Sequence, residues 1–161
     1  MKLAAGKIVA VCLSARKGTR KKNVGRAYLK KAWGFKDDAH AGEWPRQVSL
    51  LAIESILRQR RLLKKRPGET ECPSLQPGDF AENLTTEGIE LHRLPVGTRL
   101  RVGEKAALEV TQIGKECHSG CEIRRLTGDC IMPREGIFAR VIRGGWVRAG
   151  DSVAIQTPAA E

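Results

Sequence analysis

Glycine and proline residues divide the chain beyond residue 75 into short segments, and this punctuation limits the fold more than any other feature of the sequence. The segments are about as long as strands and rich in valine, isoleucine and leucine, which is typical of β-structure. A turn at 103–105 would join two paired strands, and a meander would end the chain. The predicted strands are 96–102, 107–113, 137–143, 146–148 and 152–156.

The first half of the chain contributes two predicted strands and one long helix. Residues 7–14 form an apolar run that predicts a buried strand with Cys12 in the core, and a weaker strand is expected at 27–29. The helix is predicted over 46–66, where apolar residues recur at helical spacing between two prolines. Many short strands with one long helix and short helical turns predict a mainly β fold, a closed or nearly closed barrel.

The length of 161 residues suits a single domain, predicted over 1–161 with its core at 5–156. No apolar run approaches the roughly 18 residues needed to cross a bilayer. Charges also begin too early in the sequence for a signal peptide. Five cysteines cannot all pair within one chain, which favours a reducing compartment. We therefore expect a cytoplasmic protein without a membrane partner.

Positive charge is concentrated in the first half of the chain. Residues 1–68 hold 18 lysines and arginines against 4 acidic residues, whereas residues 69–161 hold 11 against 14. This asymmetry indicates either an anionic partner or a solvated face. A nucleic-acid-binding barrel is one alternative, but only 4% of the chain is aromatic, so we expect weak nucleic-acid binding at most. The aromatic residues available to that reading are Tyr28, Trp33, Phe35 and Trp44.

A cluster of thiols is the strongest chemical signal in the sequence. Cys117, Cys121 and Cys130 fall within fourteen residues, interleaved with glycines and a histidine. Thiolates are soft nucleophiles and soft-metal ligands, but the spacing does not match the paired elements of a zinc finger. The nearby cations Lys115 and Arg124 favour a reactive thiolate at Cys117. A thiol-redox protein using this cluster and inert buried thiols are the alternatives.

Two polar segments carry further candidates. His40 follows two aspartates in a turn, where it is either a titratable site residue or a surface hydrogen-bonder. The segment 82–88 by itself predicts a turn or a helix cap, with Thr85 or Thr86 as the capping residue.

Five segments together resemble the MOSC domain, the module named for the C-terminal part of molybdenum cofactor sulfurases. They occur in the expected order and at sensible spacing, and the resemblance covers nearly the whole chain. It is greatest to the small stand-alone prokaryotic members. The segments are 37–42 (Asp-Asp-Ala-His-Ala-Gly), 46–51 (Arg-Gln-Val-Ser-Leu-Leu), 78–88 (Gly-Asp-Phe-Ala-Glu-Asn-Leu-Thr-Thr-Glu-Gly), 94–98 (Leu-Pro-Val-Gly-Thr) and 130–138 (Cys-Ile-Met-Pro-Arg-Glu-Gly-Ile-Phe).

The resemblance implies a MOSC-type β-barrel in which Cys117 carries sulfur or ligates molybdenum in the pterin cofactor. Residues 116–118 read Glu-Cys-His where many members have Pro-Cys, so Cys117 acts either alone or with a resolving thiol. No lysine motif for pyridoxal phosphate is evident, so that cofactor is not expected and sulfur would come from a partner such as a cysteine desulfurase. Stand-alone members are also linked to reduction of N-hydroxylated bases. A carrier, a sulfurtransferase and a molybdenum-dependent reductase component all stay open.

The same resemblance implies a pocket for the anionic molybdenum cofactor, molybdopterin. The basic loop at 17–26 would hold its phosphate, while Cys117 would meet the soft metal centre. Cys117 and His40 are the expected catalytic residues, and Cys117 is the expected metal ligand. The expected cofactor-binding residues are Lys17, Arg20, Lys21, Lys22, Arg26, Arg46, Glu82, Asn83 and Arg124.

Overall fold

The computed structural model describes residues 5–62, 75–115 and 131–156, and it is mainly β. The helices in these ranges are α1 (Ile53–Leu62), α2 (Met132–Glu135) and a 3-10 helix at Leu91–Arg93. The strands are β1 (Ala5–Leu13), β2 (Lys22–Asn23), β3 (Arg26–Lys30), β4 (Gly34–Phe35), β5 (Val48–Ala52), β6 (Leu84–Glu87), β7 (Arg99–Val102), β8 (Ala106–Ile113), β9 (Ile137–Arg143), β10 (Gly145–Arg148) and β11 (Ser152–Gln156).

Seven strands close into a barrel in the order β1-β11-β7-β8-β9-β5-β6, with β6 pairing again with β1. The long β1 closes the ring, because residues 5–7 pair with β11 and residues 7–11 pair with β6. The β5–β6 pair is parallel, while the other neighbours in the ring run antiparallel. A parallel pair needs a long crossover, and the chain between β5 and β6 includes α1. The predicted mainly β barrel is confirmed.

Aliphatic side chains fill the barrel, as the shortage of aromatic residues requires. Leu50, Leu84, Leu100 and Leu108 are fully buried there. Cys12 is also fully buried, as predicted. No helix in the described part of the chain is long and apolar enough to cross a membrane.

The helix predicted over 46–66 is wrong in its first part, because Val48–Ala52 forms β5 and α1 begins at Ile53. All five residues of β5 are buried. One side of the strand faces the barrel, and Leu51 on the other side belongs to a separate apolar cluster that includes α1. A strand covered on both faces has a continuous apolar run, and such a run also fits a helix. Residues 63–66 of the prediction lie outside the described residues.

The other predicted strands are confirmed in position, but the strand predicted over 96–102 begins only at Arg99. The predicted strands 137–143 and 152–156 coincide with β9 and β11. The prediction of a turn or a helix cap at Thr85 or Thr86 is wrong, because both residues lie in β6 with fully buried side chains. β6 has β1 on one side and β5 on the other, so these polar residues occupy a central strand.

A second sheet has the order β10-β3-β4. Exposed and buried residues alternate along β3, as expected for a strand covered on one face only. Ala27 and Leu29 pack into the main core, whereas Arg26, Tyr28 and Lys30 are exposed. The weaker strand predicted in this region is therefore confirmed.

Candidate functional site

A buried ion pair between Lys21 and Asp38 forms the base of the candidate site. Lys21 Nζ lies 2.8 Å from Asp38 Oδ1, and neither side chain is exposed. Lys21 also donates to the Ser14 hydroxyl at 3.0 Å, while the Ser14 amide donates to Asp38 Oδ1 at 3.0 Å. These contacts join the end of β1, the basic loop before β2 and the turn that follows β4.

The ion pair keeps Asp38 ionised. Burial by itself would raise the pKa of this carboxyl, but the charge of Lys21 and hydrogen bonds from Lys21, Ser14 and Asn83 lower it below its ordinary value. Loss of one partner of such a pair costs about 3–5 kcal/mol, because the other charge stays buried without compensation. The pair therefore fixes the surrounding loops. Lys21 is predicted to hold the cofactor phosphate as part of the basic loop, but its ammonium is buried and donates to Asp38 and Ser14.

His40 is anchored to this pair through its backbone. Its amide donates to Asp38 Oδ2 at 3.1 Å, and its carbonyl accepts a hydrogen bond from Trp44 Nε1 at 2.7 Å. The imidazole and indole rings are nearly parallel, with an interplanar angle of 7° and centroids 6.3 Å apart. Nδ1 of His40 is buried and has no hydrogen-bond partner among the residues that the structure describes.

The environment holds the His40 imidazole neutral. Burial is the main reason that its pKa falls to about 4, and the charge of Lys21 acts in the same direction. Asp38 opposes the shift, while Lys115 and Lys17 add to it. At neutral pH the ring therefore carries one nitrogen that donates and one that accepts, and a positive field surrounds it.

Cations gather on the Trp44 indole beside this histidine. The Lys17 ammonium and the Arg46 guanidinium each lie 4.6 Å from the Trp44 ring centroid, and Arg46 also lies 5.9 Å from the Phe138 ring. Cation–π contacts of this kind hold cationic side chains against an aromatic face. Lys17 is exposed and Arg46 is half-buried, so both stay available to an anionic ligand. Lys17 also acts on His40, as Lys21 and Lys115 do.

Asn83 lies behind the site and ties three strands together. It is fully buried. Its Oδ1 accepts a hydrogen bond from the Ser49 amide at 3.0 Å, and its Nδ2 donates to the Cys12 carbonyl at 3.0 Å. Because Asn83 also lowers the pKa of Asp38, it connects the barrel wall to the ion pair. Asn83 therefore helps to hold the buried ion pair in position.

Glu82 is also fully buried, next to Asn83. Burial raises the pKa of this carboxyl to about 7, although hydrogen bonds from Thr85 and from nearby backbone amides act against the rise. The Thr85 hydroxyl donates to Glu82 Oε2 at 2.7 Å. Burial, reinforced by Glu82, raises the pKa of the neighbouring Cys12 thiol to about 12. Cys12 is therefore an inert core thiol.

A close backbone contact sets the position at which the chain leaves β8. Gly114 has φ +68°, and a Cβ at this residue would lie 2.1 Å from the Pro133 carbonyl oxygen. The Gly114 amide donates to the Gly136 carbonyl at 2.7 Å. Lys115 follows Gly114 directly and is one of the charges that lower the pKa of His40. The end of β8 is thereby held next to α2 and brings Lys115 to the site.

The structure brings together only part of the predicted set. His40, Lys17 and Arg46 meet around Trp44, while Lys21, Asn83 and Glu82 are buried behind them. Arg20 and Lys22 are exposed. Arg26 lies apart, on β3, with its guanidinium 5.2 Å from the Trp146 ring. Cys117 and Arg124 lie outside the described residues, as do Cys121 and Cys130, so their assigned roles stay predictions.

Sequence reasoning missed two contributors to the site. Trp44 carries two of its cations, and Ser14 completes the ion pair. The tryptophan lies in a polar segment between His40 and Arg46. An aromatic residue in such a segment could have indicated a site residue. Ser14 gave no signal, because its role depends on residues far away in sequence. Within the described ranges, no group of three histidine, cysteine or acidic side chains is arranged to hold a metal ion.

Comparisons with known proteins agree with this architecture. The model of the MOSC domain family matches residues 37–154. Among solved structures, the YuaD protein from Bacillus subtilis is similar over 98% of both chains, with a TM-score of 0.75 and 19% identity. YiiM from Geobacillus stearothermophilus has a TM-score of 0.68 and 17% identity over 94% of this chain and 75% of its own. YiiM from Escherichia coli has a TM-score of 0.64 and 21% identity over 96% and 72%. No curated protein matches the sequence.

Proposed function

The chain belongs to the MOSC domain family, whose model matches residues 37–154, and on this basis we propose that it binds molybdenum cofactor or carries its sulfur through Cys117. The family is commonly associated with these two activities. The observation that supports the proposal is the group of cations that lies around His40 and Trp44. An anionic ligand with a planar, polar ring system suits such a group.

The residues of the site fit the cofactor in charge and in hydrogen-bonding capacity. Molybdopterin carries a phosphate, and the cations over Trp44 can donate charge-assisted hydrogen bonds to it. Arg46 offers the planar fork that matches phosphate oxygens, and Lys17 offers a mobile point charge. The buried Nδ1 of His40 lacks a partner among the described residues, so a polar edge of the pterin can satisfy it. When bound, the cofactor supplies a soft, sulfur-rich metal centre.

The neutral state of His40 suits a role in orientation. With its pKa lowered to about 4, the imidazole adds no charge at neutral pH, and its hydrogen bonds depend on which ring nitrogen holds the proton. The Lys21–Asp38 pair fixes the His40 amide. The backbone of His40 is thereby held in place before any ligand arrives, which reduces the entropy cost of binding.

Cys117 supplies the soft sulfur of the proposed reaction. It follows Lys115 by two residues, and a neighbouring cation lowers the pKa of a thiol and raises its thiolate fraction. Because the sequence shows no pyridoxal phosphate motif, the sulfur would come from a donor protein such as a cysteine desulfurase. We place this chemistry in the cytoplasm, where the thiols would stay reduced.

The proposal is tested by expressing the protein in a host that makes molybdenum cofactor. Molybdenum, pterin and persulfide are measured per chain in the wild type and in Cys117→Ser. We expect the substitution to abolish loading with sulfur or molybdenum. Cys12→Ala is the matched control, since its thiol is buried and inert, and it should load normally. Equal loading of wild type and Cys117→Ser would remove Cys117 from the mechanism.

A further inference from the structure

The three-stranded sheet presents an exposed outer face that shares no residue with the group around His40. We call it the aromatic–basic face and define it as Arg26, Tyr28 and Lys30 of β3 with Trp146 and Arg148 of β10. Trp146 is 61% exposed and Tyr28 is 40% exposed. The inward residues of the same strands, Ala27, Leu29 and Val147, supply the packing. The outward residues are therefore not needed to bury a core.

The strand register pairs like residues across this face. Trp146 stands opposite Tyr28, and Arg148 stands opposite Arg26. The two aromatic rings meet edge to face with centroids 5.5 Å apart, and the Arg26 guanidinium lies 5.2 Å from the Trp146 ring. Like charges directly opposite each other destabilise a sheet. Asp151 lies 3.6 Å from Arg148, but among the described residues no carboxylate pairs with Arg26. A bound anion would relieve this repulsion.

A cleft opens beside the face. It has a volume of about 310 Å³ and lies between the two sheet strands and the turn that joins β7 to β8. This size is at the lower end for a small-ligand pocket. The cleft is lined by an indole, three cations and two carboxylates. Its lining residues are Arg26, Glu104, Lys105, Trp146, Arg148 and Asp151.

We propose that the aromatic–basic face binds single-stranded nucleic acid, with one nucleotide in the cleft beside Trp146. Exposed aromatic rings among cations are the elements that bind such strands, because bases stack on the rings while the cations contact phosphates. A duplex keeps its bases stacked inside and cannot use the rings. The net charge of +11 attracts a polyanion from a distance.

This inference reverses the sequence-based expectation of weak binding at most. Only aromatic residues close in sequence to the basic segment were considered for that expectation, and Trp146 was not among them. The antiparallel pairing of β10 with β3 brings Trp146 beside Tyr28 and Arg26. The aromatic–basic face shares no residue with the group around His40, so its binding of nucleic acid is independent of the proposed cofactor function.

The test is fluorescence anisotropy with labelled single-stranded oligonucleotides of about 12 nucleotides, within the usual range of site sizes. We expect Trp146→Ala to weaken binding by about 5- to 150-fold, the effect of losing one stacked base, and Trp146→Phe to restore part of it. Arg148→Ala should reduce the slope of log affinity against log salt by about 0.7. Because these side chains are exposed, the variants should fold, and thermal melting confirms this.

Matched controls remove equally exposed groups elsewhere. Val96 is 62% exposed in a turn, and Arg93 is 76% exposed at the 3-10 helix. Val96→Ala and Arg93→Ala should each bind like the wild type. Affinity that is unchanged in Trp146→Ala, or duplex binding as tight as that of the single strand, would overturn the proposal. A mononucleotide that binds as tightly as the oligonucleotide would also overturn it, because the ligand would then be a free nucleotide.

Discussion

Replacement of Lys21 by methionine tests whether the buried ion pair fixes the loops of the site. Methionine fills a similar volume but leaves the Asp38 carboxylate buried without its cation, and it removes the hydrogen bond to Ser14. We expect the free energy of unfolding at neutral pH to fall by about 3–5 kcal/mol. For a chain of this size that loss lowers Tm by roughly 6–20 °C.

The stability difference between wild type and Lys21→Met should also depend on pH. In the wild type the pKa of Asp38 is lowered by its partner, so the stability that the pair contributes is present above the ordinary carboxyl pKa and is lost as pH falls through the folded value. In Lys21→Met the cation is gone and burial raises the pKa of Asp38. The variant then takes up a proton more readily. Its deficit relative to wild type should shrink between neutral pH and about pH 5.

Urea unfolding at several pH values measures both effects. The matched control is Lys7→Met, since Lys7 pairs with Glu87 at 3.4 Å while both side chains are at least half exposed. Exposed pairs contribute only about 0–1 kcal/mol. A deficit for Lys21→Met as small as that of Lys7→Met, or one that does not change with pH, would refute the role assigned to the buried pair.

Two further predictions concern the buried residues behind the site. The pKa of Glu82 is raised from 4.5 to about 7, so the free energy of unfolding of the wild type should fall by roughly 3 kcal/mol as pH rises through that interval. Glu82→Gln lacks this titration, so urea unfolding should show its stability rising relative to that of the wild type across the same interval. A stability difference that does not change with pH would contradict this. Gly78 has φ +93° and a Cβ there would lie 2.1 Å from the Lys21 carbonyl oxygen, whereas Gly97 has φ +96° with nothing within 4 Å. We therefore expect Gly97→Ala to lower the free energy of unfolding by about 1–2 kcal/mol and Gly78→Ala to lower it clearly more. Equal losses of stability in thermal melts would show that the close approach of Gly78 to Lys21 carries no cost.

Local sequence patterns were sufficient to predict a strand where its own residues and the flanking turns mark its bounds. β9 and β11 have bounds that follow from apolar composition and flanking glycines, and both were predicted to the residue. β5 was misread because its partners on both faces are distant in sequence, and burial on both faces removes the alternation that marks a strand. β6 was misread for the same reason, since its threonines are buried by strands from other parts of the chain.

The candidate site likewise contains residues that a local sequence pattern indicates and residues that only the fold brings together. His40 could be found because a histidine next to two aspartates is a local pattern. The pairing of Lys21 with Asp38 could not, because both lie in polar loops that read as solvated, and only the fold buries them together. Trp146 likewise reaches Arg26 only through strand pairing. Cys117 was chosen on sequence and family resemblance, and its role rests on those grounds.

The central claim is that the cations around His40 and Trp44 hold an anionic cofactor, and cofactor retention in Lys17→Ala/Arg46→Ala tests it most directly. Charge-assisted hydrogen bonds contribute about 1.5–3 kcal/mol each, so loss of both cations should weaken binding by about a hundredfold or more. Molybdenum and pterin per chain are measured after purification from a host that makes the cofactor. Lys7→Ala/Arg93→Ala, which removes two exposed cations elsewhere, is the matched control. The account predicts a loaded control and a nearly empty site variant, and equal loading of the two would contradict it.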